Sequence, residues 1–130
     1  MKLYKAIDEE SAREFIRSRK LYVEPCDDSG GMISFQREIC PSCQCCVVLE
    51  FDMDDVSTLY PSRNGWMLEL AYPQVTAPSG LKLTYVLNDD IKLTSISIFA
   101  GCKMDWQFVR LCLDNTGRSD VVVKDCKELS

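Results

Sequence analysis

Histidine is absent from this 130-residue chain, and that one absence removes several kinds of chemistry together. Neither a Ser-His-Asp nor a Cys-His catalytic arrangement can form within it, any metal has to be held by thiolates or carboxylates, and general acid or base work falls to Asp or Glu. Also missing is an apolar run long enough to cross a membrane, and the opening Met1-Lys2-Leu3-Tyr4-Lys5 lacks the apolar core of a signal peptide. The expected location is the cytoplasm, with no membrane partner. Positive charge is in deficit, since 15 Lys and Arg stand against 20 Asp and Glu for a net charge of -5. No nucleic-acid partner is expected, because such a footprint needs Lys and Arg gathered into a basic face. The one local basic cluster, Arg13, Arg17, Arg19 and Lys20, falls at the end of an expected helix, where cations complement the helix dipole. No repeat, low-complexity tract or linker breaks the chain, so a single domain over residues 1–130 is expected.

Cysteine, by contrast, is plentiful, with 8 residues. Cys40-Pro41-Ser42-Cys43 has the spacing of a metal clip, and a structural zinc site needs four ligands. Cys45 or Cys46 could add a third only if the chain folds tightly back, and Cys26, Cys102, Cys112 and Cys126 could contribute from a distance. The competing reading makes Cys45, Cys46, Cys102, Cys112 and Cys126 small buried hydrophobes on core elements. Asp52, Asp54 and Asp55 lack the glycine and the twelfth-position Glu of a calcium loop and read as a solvated helix start.

Periodicity places a strand at Lys2 to Ile7, then a helix capped by Asp8 with Glu9 and Glu10 in its first turn and Ala12, Phe15 and Ile16 on one face. Leu21 to Val23 is extended and Glu24 to Gly31 reads as a loop. Met32 to Gln36 and Cys45 to Asp52 read as two strands that meet around the cysteine-rich segment, with the rest of the chain arranged about them. A helical turn from Asp52 is expected to carry Val56 and Leu59 inward, with Pro61 as its stop. In the strand Trp66 to Tyr72, alternation sets Trp66, Leu68, Leu70 and Tyr72 against Met67, Glu69 and Ala71, which makes Glu69 an acid among largely buried neighbours. After a Pro-rich and Ser-rich loop, Leu81 to Leu87 and Ile91 to Phe99 read as strands joined by a turn. Met104 to Asn115 fits a helix with Phe108, Leu111, Cys112 and Asn115 on its recurring face, and Val121 to Lys124 closes as a strand. The order describes an α+β domain of mostly antiparallel, twisted sheet flanked by two helices.

Leu3-Tyr4-Lys5 followed by a capped helix and Ser18-Arg19-Lys20-Leu21-Tyr22, then Ile33-Ser34-Phe35-Gln36-Arg37, Val47-Val48-Leu49-Glu50-Phe51-Asp52 and the ending Ile96-Ser97-Ile98-Phe99-Ala100-Gly101-Cys102-Lys103-Met104-Asp105, resembles the small bacterial and phage members of the ADP-ribosyltransferase-like superfamily. The resemblance implies a split, twisted pair of sheets whose cleft binds NAD. It implies an Arg or His on the first strand, where this chain has Lys5, and a Ser on a second strand, matched by Ser34. Tyr4, Phe35 and Arg37 join them as the implied dinucleotide-binding residues. A later strand would supply a catalytic Glu. The segment Leu81 to Leu87 carries no acid there, which leaves Glu69 as the nearest strand carboxylate. On the residues alone, Lys5 is equally an exposed alternate position on an edge strand, and Ser34 a satisfied polar residue at a strand end.

Three functions follow. One is an ADP-ribosyltransferase-like domain that binds NAD or a related nucleotide, with weak or lost transferase activity and Glu69 as its only nominated acid. Another is an acidic protein-interaction module, such as a phage or mobile-element inhibitor of a host factor, occupying a basic groove of its partner. The last is a zinc-stabilised binding module centred on Cys40 and Cys43.

Overall fold

The first strand, β1 (Lys2–Ile7), lies in the interior of the main sheet and not at its edge. The computed structural model describes residues 1–27, 30–39, 47–71, 83–99 and 101–126. After β1 come α1 (Glu9–Ser18), β2 (Lys20–Tyr22), β3 (Glu24–Asp27), β4 (Gly30–Gln36), β5 (Val47–Asp52), β6 (Tyr60–Ser62) and β7 (Gly65–Ala71). They are followed by β8 (Thr84–Val86), β9 (Lys92–Ile98), α2 (Trp106–Asn115) and β10 (Val122–Asp125). The main sheet runs β10-β9-β5-β1-β4-β7-β6 with β3 beside β4, while β2 and β8 form a separate ribbon. Every pairing is antiparallel except β9 with β10. A parallel pair needs a crossover, and α2 supplies it.

Local chemistry explains most of these elements. Asp8 has extended backbone and its carboxylate accepts the Ser11 amide at 2.7 Å, so α1 starts there, and its Ala12, Phe15 and Ile16 are buried. On β5, Val47, Leu49 and Phe51 alternate into the core opposite Ile7, Lys5 and Leu3 of β1. The Phe51 ring is the junction of the core, meeting Phe15 of α1 edge-on at 5.9 Å and Phe35 of β4 at 5.7 Å. Val109 and Leu113 bring α2 into the same cluster.

Several expectations need correction. The strands β4 and β5 do not meet, because β1 inserts between them. Glu24 to Asp27 and Gly30 to Gly31 are not loop. They form β3 and the start of β4, and the glycine is there because a β-carbon on Gly31 would stand 2.3 Å from Val23 Cγ1 and 2.9 Å from the Glu24 carbonyl oxygen. Pro25 is tolerated because β3 is an edge strand. No helix follows Asp52. Asp55 instead accepts the Ser57 amide at 2.8 Å, a side-chain turn that competes with helix, and Pro61 sits inside β6. The strand after Asn88 to Asp90 pairs with β5, and β8 pairs with β2, so no hairpin joins them. Helix α2 is present but rotated from its expected face: Val109 and Leu113 point inward, whereas Phe108 is 47% and Leu111 59% exposed. The helix carries two apolar stripes, and Arg13 of α1 stacks over Phe108 at 5.6 Å on the outer one.

Because Phe51 joins β5, α1 and β4 at one point, Phe51→Ala should cost about 3–5 kcal/mol, the usual range for removing a buried aromatic ring. Urea denaturation checks this, and a loss below about 1 kcal/mol would show that the three elements are held together elsewhere.

Candidate functional site

Strand β1 pairs with β5 along its whole length, from Lys2 opposite Asp52 to Ile7 opposite Val47, but with β4 only where Tyr4 faces Gln36. Beyond that point β4 is accompanied by β3, with Glu24 opposite Met32 and Pro25 opposite Gly31. The two strands part between these contacts. A cleft of about 360 Å3 opens there, lined by polar groups of Lys5, Asp8, Ser11, Tyr22, Glu24 and Ser34 and by apolar side chains between them. That volume is within the range of about 300–1,000 Å3 of small-ligand pockets.

Lys5 stands at the point of divergence. Alternation puts it on the inner face with Leu3 and Ile7, and its ammonium donates to the Ser34 carbonyl at 2.9 Å while lying 5.9 Å from the centre of the Phe35 ring. Burial pushes its pKa below the ordinary lysine value, against the opposing charge of Glu24. A hydrogen bond from a charged donor contributes about 1.5–3 kcal/mol. The downward direction follows because the charge of Glu24 does not make up for the water lost. An incoming anion would relieve that imbalance. The start of α1 also borders the cleft and adds the positive end of a helix dipole, offset by the Asp8 carboxylate that caps it.

The other residues singled out from the sequence are dispersed. Lys5 meets the Phe35 ring and the backbone carbonyl of Ser34, whose own side chain is exposed between the buried Ile33 and Phe35. Tyr4 points to the opposite face of the sheet, beside its cross-strand partner Glu50, and burial followed by the charge of Glu50 raises its pKa. Arg37 lies over the Trp66 ring at 4.9 Å and its amide donates to the Asn64 carbonyl at 3.3 Å, in the β6–β7 hairpin region. Glu69 is not among buried neighbours: it is exposed on the outer face of β7 opposite Met32, while Leu68 and Leu70 turn inward. Cys40 and Cys43 lie outside the described residues. Among those described, Cys102 is buried and Cys112 and Cys126 partly so, all three as free thiols, and no group of three or more His, Cys, Asp or Glu is gathered as metal ligands.

Two carboxylates escaped the sequence reading. Glu24 lines the cleft from β3. Glu50, on the outer face, accepts hydrogen bonds from Thr94 at 2.8 Å and Ser95 at 3.1 Å and pairs with Lys2 at 3.6 Å. Burial would raise its pKa, but those hydrogen bonds and the charges of Lys2 and Lys124 hold it below the usual carboxylate value. The alternate placing of Glu50 between Leu49 and Phe51 was visible, whereas its partners lie on a strand 44 and 45 residues further on. A broader concave surface of about 630 Å3 gathers Asp52, Asp54, Asp55, Asp89 and Asp90 around Lys92.

Comparison with protein-family models, curated proteins and solved structures finds no match to this chain. No helix among the described residues is long and apolar enough to cross a membrane.

The lowered pKa of Lys5 gives stability a specific pH dependence. Below the folded-state value both folded and unfolded chains hold the proton, and the burial penalty is constant. Between that value and the unfolded 10.5 the unfolded chain binds the proton more strongly, so the penalty fades and stability rises with pH. The free-energy gap between wild type and Lys5→Met, from urea denaturation across a pH series, should therefore move in favour of wild type as pH approaches 10.5. A gap that does not change with pH would contradict the burial of this ammonium.

Proposed function

We propose that the chain is an ADP-ribosyltransferase-like domain that binds NAD or a related nucleotide in the cleft between β1 and β4, with weak or no transferase activity. The observation that carries the proposal is the under-compensated ammonium of Lys5 at the opening of the sheet. It occupies the first-strand position that the resemblance assigns to a dinucleotide-holding Arg or His, and Ser34 is its direct backbone partner. The cleft is at the small end of the ligand-pocket range. It would enclose one nucleotide moiety and leave the remainder of a dinucleotide over the open rim.

The carboxylates explain the weak catalysis. A developing ribosyl cation needs a fixed negative charge at the reacting carbon, and the loss of such an electrostatic stabiliser costs about 2.7–4 kcal/mol. Glu69 and Glu50 both lie on the outer face, and neither lines the cleft. Of the two carboxylates that line it, Asp8 caps α1 and Glu24 acts on Lys5. Neither is held ready for a second cation.

The reading as an acidic protein-interaction module is favoured by a different observation, the five aspartates grouped around the Asp52 to Asp55 and Asp89 to Asp90 turns. That grouping would steer the chain toward a basic partner.

Titration calorimetry with NAD, with nicotinamide release measured in parallel, separates these readings. Saturable binding is expected, weakened about 10- to 100-fold in Lys5→Met by loss of one charge-assisted hydrogen bond, with Glu69→Gln leaving affinity unchanged. Absence of saturable binding at millimolar NAD would remove the nucleotide reading and leave the interaction module.

A further inference from the structure

A second cavity, of about 240 Å3, shares no lining residue with the Lys5 cleft. Its walls include Arg19, Leu93, Arg118 and Val121, and the largely exposed Asp89, Lys92 and Asp120 stand at its rim. Arg19 closes α1 in the left-handed region, at φ 60, which residues with a β-carbon rarely adopt. From there its side chain reaches across to the β8–β9 turn. One terminal nitrogen is shared among the carbonyls of Leu87, Asn88 and Ile91 at 3.4, 3.3 and 3.5 Å, all at or beyond the long end of the normal range. Its Nε is buried without a partner. Arg118 comes from the turn after α2, donates to the Ile16 carbonyl at the end of α1 and to Thr116 Oγ1 at 3.2 Å, and keeps a buried Nη1 without a partner.

Buried N–H groups are paired in the great majority of cases. Here two donor nitrogens are left over on neighbouring guanidiniums whose charges repel. Burial and, after it, the charge of Arg19 lower the pKa of Arg118. The nearby anions do not answer this pair. Asp89 is fully solvated and 3.9 Å from Arg19, and Asp120 is held by Lys92 at 3.2 Å. Arg110, the next guanidinium, spends its donors on Asp114 and on the carbonyls of Arg118 and Val121. What the two guanidiniums lack, with both rim carboxylates exposed, is an acceptor with several oxygens and negative charge set between them. Forked guanidiniums match such groups.

We propose that this cavity is an oxyanion site that takes one phosphate group between Arg19 and Arg118, free or on a small phosphomonoester. The terminal nitrogen of Arg19 would exchange its long contacts for shorter charged ones, and the two orphaned nitrogens would gain an acceptor after small side-chain adjustments. The acidic rim restricts entry to small groups that reach the guanidiniums.

Thermal melts with inorganic phosphate and, separately, glycerol phosphate, at ionic strength held constant with sodium chloride, test the site. A saturable rise of about a few degrees in Tm is expected with at least one of them, and the one saturating at lower concentration identifies the source. Arg118→Lys and Arg19→Lys keep the charge but lose the fork, and each should weaken the response at least tenfold. The 15N-detected Nε–H signal of Arg19 in the unmodified protein provides a readout that needs no variant, and phosphate should shift it downfield. A rise in Tm that never saturates, an equal response in both variants, or an Arg19 signal that phosphate leaves in place would overturn the proposal, the last two marking an adventitious ion only.

Discussion

One residue pair, Tyr4 opposite Gln36, is the whole of the ladder between the two halves of the main sheet. On one side β1, β5, β9 and β10 are zipped together, and on the other β4, β7, β6 and β3. A sheet so weakly joined would come apart if its halves were not tied elsewhere. The ring of Phe51, touching Phe15 and Phe35, ties them through the core, and the ammonium of Lys5 ties them across the gap. The cleft exists because side chains, and not a backbone ladder, bridge that part of the sheet.

The same arrangement separates the charged chemistry by face. Alternation along β1 sends Lys5 inward and Lys2 and Tyr4 outward, so the Glu50 cluster with Thr94 and Ser95 cannot serve the cleft although it is only one strand away. Glu50 is well supplied with donors and is content where it is. Lys5 is not, and Arg19 and Arg118 still less so. A desolvated ammonium at Lys5 and a guanidinium pair with two nitrogens left without acceptors, in a chain whose net charge is -5, are the features that a ligand would complete.

The α+β class, the predominance of antiparallel strands, the two helices and the faces of β7 could be read along the chain, because caps and alternation are local signals. Asp8 before Glu9 and Glu10 announces α1 whatever lies around it. The insertion of β1 between β4 and β5 could not be read in this way, since strand partners are chosen by the burial of whole faces. The close approach of β3 to β4 was mistaken for a loop because the glycines that permit it are also turn residues. Helix α2 offered two apolar stripes, and periodicity alone could not decide that Val109 and Leu113, and not Phe108 and Leu111, would be buried. Within the candidate site, Lys5 and Ser34 came from the resemblance. Glu24 and the Arg19–Arg118 pair depend on chain crossings that no local spacing records.

The central claim is that the opening between β1 and β4 is where this chain takes its ligand. Backbone amide NMR of the 15N-labelled protein, followed during addition of NAD, tests it most directly. The account predicts shifts that saturate and are concentrated at Lys5 to Ser11, Leu21 to Glu24 and Met32 to Ser34. Shifts centred on the outer-face residues around Glu50 and Glu69, or an unchanged spectrum at millimolar NAD, would contradict it.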